Sequence, residues 1–231
     1  MSSSKTEHAG AGGHGNGHAL PWYQAHHFDS MDVQNHAVRL GMWLFLGTEV
    51  LLFAGLFLGY TVYRWLYHQS FHEASRLLSL PLGTTNTVIL ITSSFTVALA
   101  YHAIKQGKQK ATVGYLVFTI VCAAAFLCIK YFEYKHKFEV GELPGKFFTA
   151  HHDFSPLGAT GAPLYYAVYF LATGLHAFHV IVGASILGWL AYRVHKGKYG
   201  PDHYVPVELG ALYWHLVDLV WIFLFPLLYL I

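Results

Sequence analysis

Five long apolar blocks run through this chain, and polar, charged or Gly/Pro-bearing connectors separate them. A helix that crosses a bilayer needs about 20 mostly apolar residues. The blocks at 38–65, 82–104, 112–134, 164–192 and 209–231 all reach that length. The pattern therefore predicts an all-α fold, a polytopic transmembrane bundle of five helices, occupying 38–231. Residues 1–37 read differently. The stretch to Leu20 is mostly Ser, Gly, His and Ala, a composition that cannot bury a core and predicts a disordered tail. Trp22, Tyr23, His26, His27 and Phe28 follow, a mix suited to the headgroup level. Asp32 or Asn35 is expected to cap the first helix.

Small and polar residues within the blocks predict how they pack. Gly41, Gly47, Gly55 and Gly59 in the first span are expected to mark close approach to neighbouring helices. The second span carries many hydroxyls, Ser93 and Ser94 among them, able to bond back to their own helix or across to another. Its connector to the third span, 105–110, is short and basic, so these two spans should form a tight antiparallel pair. Residues 68–79 read as a polar connector, and 135–163 as the longest one, lying over one membrane face.

Composition agrees with this picture. Hydrophobic residues make up 55% of the chain and charged ones 11%, against about 25% charged in soluble domains. The net charge of +2 carries no basic patch interleaved with exposed aromatics, so nucleic acid is not a predicted partner. Cys122 and Cys128 share one span without a CxxC, which argues for neither a disulfide nor a zinc knuckle. Lys105, Lys108 and Lys110, with Arg193, Lys196 and Lys198, crowd two short connectors on one side. The positive-inside rule then places the N-terminus in the cytoplasm and the C-terminus outside.

Ionisable side chains inside a membrane are costly and point to function. Glu49 sits halfway along the first span, His176 and His179 lie three apart in the fourth, and His215 and Asp218 three apart in the fifth. Lys130 and Glu133 share a helix face near the end of the third span, as an ion pair or as interfacial anchors. Three functions fit such a chain. Intramembrane metal or redox catalysis would need more acids and matched histidines than are present, and no HExxH occurs. His151, His152 and Asp153 are adjacent and converge poorly on a metal. Transport or proton conduction could use Glu49, but five spans show no internal repeat. The third function is a non-catalytic subunit of a larger complex. There Glu49 meets a partner, His215 bonds Asp218 to fix a helix, and His176 and His179 bond across helices or to a headgroup.

Longer motifs decide among these. Met42-Trp43-Leu44-Phe45-Leu46-Gly47-Thr48-Glu49-Val50, the Ser93-Ser94 helix and Glu133-Tyr134 occur in the order found in subunit III of the haem-copper oxidases. Thr173-Gly174-Leu175-His176-Ala177-Phe178-His179-Val180 with Gly183 resembles that family's TGxHGxHVxxG signature, with Ala177 in place of a glycine. Tyr213-Trp214-His215-Leu216-Val217-Asp218-Leu219-Val220-Trp221 resembles its YWHFVDxVW signature. The resemblance implies a five-helix form that lacks the first two helices of the long form. It also implies no catalytic residue, haem, copper or other metal in this chain. Haem and copper belong to the partner subunits, which reduce oxygen with electrons from cytochrome c or quinol and pump protons. Direct packing on subunit I is implied, with subunit II and a small subunit IV nearby, and phospholipid bound in the membrane. Glu49 is matched to the family's intramembrane glutamate, and a prokaryotic plasma membrane is expected. His26, His27 and His36 are expected to collect protons near the uptake side, since imidazole titrates near neutral pH.

Overall fold

The computed structural model describes residues 30–149 and 156–230. His26, His27 and the His151–Asp153 run lie outside them. The chain divides into two units between Val38 and Arg39. The described part of the first unit holds the start of α1 (Met31–Leu66). Ser30 is the cap there, its Oγ accepting the Val33 amide at 3.3 Å. Asp32 and Asn35, the expected caps, are already helical, with Asp32 in the first turn, where a carboxylate suits the dipole.

The rest of the helices are α2 (His68–Ser75), α3 (Leu80–Lys105), α4 (Gln109–Val140), α5 (Pro156–His195) and α6 (Val205–Tyr229). Five of them, all but α2, are long and apolar enough to cross a membrane. The membrane helices outrun the apolar blocks at most ends. Hydropathy marks the thickness of the bilayer, whereas a helix continues until its backbone is stopped. In α4 the stop is Gly141, at φ 83°, whose amide donates to the Lys137 carbonyl. That conformation is cheap only for glycine. The long connector therefore begins six residues later than the apolar pattern predicts, after Val140.

Residues 68–79, read as a polar connector, instead contain α2, which packs on α5. Phe71 is fully buried, edge-on to Tyr60 and Tyr165. Ser70 accepts the Gly161 amide at 3.2 Å. Buried Phe71, with Ser70, Ala74 and Ser75 buried beside it, turns a polar stretch into part of the core.

Within Arg39–Ile231, α3 and α4 lie against each other as the short connector predicts, turned by Gly107 at φ 73°. Close backbone approaches also join α3 to α6, α4 to α5 and α5 to α6. These four helices form the core. Gly183 lets α5 approach α6: a Cβ there would meet Trp214 Cε3 at 2.9 Å. Replacing Gly183 with Leu should destabilise the bundle by about 1–3 kcal/mol through overpacking. A shift in the detergent melting curve measures it, and Gly114→Leu, where a Cβ meets nothing, should leave the curve in place.

α1 stands further off, held by side chains. Its buried stripe is Leu46, Phe53 and Tyr60. The glycines depart from expectation: a Cβ on Gly41, Gly47, Gly55 or Gly59 would meet nothing within 4 Å. At 3.6 residues per turn, Gly41, Gly55 and Gly59 fall roughly opposite the buried stripe. The small-residue face is open within this chain.

Candidate functional site

Glu49 projects from α1 toward α5, where its Oε2 lies 2.9 Å from His179 Nε2. His179 Nδ1 lies 2.8 Å from the Leu175 carbonyl, one helical turn back. A carbonyl only accepts, so Nδ1 carries a proton and donates it. The Glu49–His179 contact then holds a single proton between its two atoms. The pair is neutral overall whether that proton sits on nitrogen or on oxygen. Phe53 packs edge-on to the imidazole, with ring centroids 5.2 Å apart. The expected bond from His179 across helices is present, and its partner is the acid of α1.

His176, one turn along α5, is fully buried. Neither of its ring nitrogens has a hydrogen-bond partner. It lies between Phe126 and Trp221, at centroid distances of 5.4 and 5.1 Å.

His215 and Asp218 do not bond each other as their spacing suggested. Both turn to adjacent serines on α3. His215 Nδ1 meets Ser94 Oγ at 2.7 Å, while Asp218 Oδ2 lies 3.5 Å from Ser93 Oγ. Ser93 also donates to the Leu90 carbonyl and accepts from Trp214 Nε1. Side chains three apart share a helix face, but a neighbouring helix that offers hydroxyls at the same level binds each separately.

The densest polar cluster joins α4, α5 and α6. Lys130 Nζ donates to Glu133 Oε2 at 3.0 Å, to Tyr169 OH at 3.1 Å and to Tyr229 OH at 2.9 Å. The two phenols donate in turn to Glu133 Oε1. All three ammonium protons and both carboxylate oxygens are used. Lys130 is 3% exposed and Glu133 5%, so they form a buried ion pair and not the interfacial anchors that were the other reading. Two turns further along α4, Lys137 pairs with Glu142 at 2.6 Å, again buried. The signal for this was present in the sequence. Phe126, Lys130, Glu133 and Lys137 follow a 4-3-4 spacing, the inward face of a helix.

Two further contacts went unanticipated. Arg39 forms a two-pronged pair with Glu208, Nε to Oε1 at 3.1 Å and Nη2 to Oε2 at 2.8 Å. Tyr60 OH donates to the Leu227 carbonyl. With Glu49–His179 between them, they fasten α1 at three levels. His36 is exposed on α1.

Among the described residues, no group of three or more His, Cys, Asp or Glu side chains stands close enough to hold a metal ion. Cys122 and Cys128 are free. His179 has both nitrogens engaged, His215 is bonded to Ser94, and His176 faces aromatic rings, so these residues do not converge on a haem or copper site.

The bundle defines a polytopic helical membrane protein in which Glu49 with His179, Ser94 with His215, and Lys130 and Glu133 with Tyr169 and Tyr229 join helix to helix. Comparison with known proteins narrows this class. The family model for cytochrome c oxidase subunit III matches residues 22–231, and the chain belongs to that family. It is 31% identical over 219 residues to cytochrome c oxidase subunit 3 of Pelomedusa subrufa, and the match covers 90% of this chain and 73% of that one. The same protein of Latimeria chalumnae is 32% identical and that of Prototheca wickerhamii 30%, with the same coverage.

Proposed function

We propose that this chain is the non-catalytic subunit III of a respiratory haem-copper oxidase in a prokaryotic plasma membrane. It stabilises subunit I beside it, binds lipid and supports proton uptake. Haem and copper sit in the partner subunits. The open glycine face of α1 is the observation that carries this reading. A helix held by three polar contacts on one side, with a stripe of small residues on the other, suits close packing against a further helix. The partner helix is that of subunit I, with subunit II and a small subunit IV beyond. Replacing Gly55 and Gly59 together with Leu tests the assignment. The variant should fold and insert like the native chain yet fail to co-purify with the haem-bearing subunits. Undiminished co-purification would count against it.

Two apolar grooves flank α1 and support lipid binding. One, of about 310 Å³, lies between Phe45, Ile186, Trp189 and Tyr213. The other, of about 230 Å³, lies between Phe53, Phe57, Leu216 and Phe223. Both suit acyl chains better than headgroups.

The N-terminus lies in the cytoplasm on this reading, where His26, His27 and His36 collect protons for the uptake side. Changing the three to Gln should lower turnover of the assembled oxidase most when the uptake side is held alkaline, where free protons are scarce. An unchanged pH profile would show that these histidines do not collect the protons.

A further inference from the structure

Asn86 and His176 are fully buried, and none of their four polar side-chain atoms has a hydrogen-bond partner. Native interiors rarely leave one such group unmet, and here two occur at about the same level of the four-helix core. The Thr96–Thr119 hydrogen bond fixes the register of α3 against α4. Ten residues along each antiparallel helix from that bond, Asn86 is level with residue 129, beside Lys130. Trp221 Nε1 donates to Thr87, the neighbour of Asn86, at 3.0 Å. The same indole lies tilted against His176 and its ring is 5.3 Å from Lys130 Nζ. Each helix of the four-helix core thus brings one of these residues to the same level: Asn86, Lys130, His176 and Trp221.

Neither a cation nor an anion suits this place. The Lys130 ammonium stands at its edge, with all its protons already committed to Glu133, Tyr169 and Tyr229. A metal ion would face that charge, and an anion would compete with Glu133. An amide offers both donors and an acceptor, and an imidazole offers at least one donor. Their common complement is a small neutral molecule that both gives and takes hydrogen bonds.

We propose that Asn86 and His176 hold ordered water in a polar cell at the centre of the core, walled by Phe126 and Trp221. Buried water in folded proteins occupies such places, bonded to polar groups that no side chain reaches. The cell lies one helical turn along α5 from the Glu49–His179 pair, and the Lys130 cluster closes its other side.

Millisecond X-ray hydroxyl-radical labelling of the full chain in its native membrane assembly tests this. Radicals formed from a bound water mark the side chains that touch it. Phe126 and Phe71 are both fully buried, whereas Phe147 is 61% exposed. Phe126 should be oxidised with Phe147, and Phe71 should stay unmarked. An unmarked Phe126 beside a marked Phe147 would overturn the proposal, as would equal marking of Phe126 and Phe71. Replacing Asn86 with Leu and His176 with Phe should abolish the label on Phe126, and a label that persists in this variant would also overturn it. If the variant does not assemble, the comparison of Phe126 with Phe71 in the native protein decides alone.

Discussion

Replacing Lys130 alone with Met should destabilise the chain by about 3–5 kcal/mol, because it strands a buried carboxylate. Glu133 would keep the two phenol donors but lose the ammonium that bonds it. Replacing Glu133 with Leu as well should restore part of the loss, since the stranded charge is gone, although the buried phenols of Tyr169 and Tyr229 then lose Glu133 as their acceptor. Unfolding in mixed micelles under rising SDS measures both variants. If the single variant matches the native chain, the cluster is not the clasp that Lys130, Glu133, Tyr169 and Tyr229 describe. The contrast between single and double variants matters more than either value. It separates the cost of an unpaired charge from the contribution of the pair, which the desolvation of two ions reduces.

The second large effect concerns α1. Changing Glu49 to Ala and Tyr60 to Phe together should cost its docking about 3 kcal/mol. This counts roughly 1.5–3 for a hydrogen bond to a charged group and about 1 for a neutral one. The Arg39–Glu208 pair, partly exposed at 33% and 20% of its side chains, adds at most about 1 kcal/mol and cannot hold the helix alone. Spin labels at Leu44 and Leu219 should report a narrow distance distribution in the native chain and a broad one in the double variant. An equally narrow distribution in both would mean that apolar contact alone holds α1. Glu49→Gln should behave differently from Glu49→Ala. An amide still bonds His179 Nε2, so helix position and the haem content of the assembly should both persist.

The sequence and the structure agree where one physical signal dominates. Five spans were legible because the hydrophobic cost of crossing a bilayer leaves little choice of composition. The tight α3–α4 hairpin was legible because a connector of few residues leaves no other path. Glu49 and His179 each stood out as polar groups within apolar runs, although their pairing did not. His179 is 130 residues away, and nothing local joins them. The His215–Asp218 pairing failed for the same reason. Spacing along one helix identifies a shared face, but the register of α3 decides that Ser94 and Ser93 are what that face meets. The glycines of α1 misled because small residues announce close packing without saying whose helix approaches. α2 was hidden because Phe71 is a lone aromatic among polar residues, and only the packing of Tyr60 and Tyr165 around it explains its burial. The cluster on α4 was half visible: its helical spacing could be read, while Tyr169 and Tyr229 come from other helices.

We place the redox chemistry in neighbouring subunits and assign the paired polar side chains of this chain to holding helices together. Isolating the tagged chain from its own membranes with whatever accompanies it, separating the subunits, and measuring haem and copper on each tests this most directly. Haem and copper are expected on the companion chains and none on this one. Stoichiometric haem or copper retained by this chain after separation, and lost when His176, His179 or His215 is replaced, would contradict it.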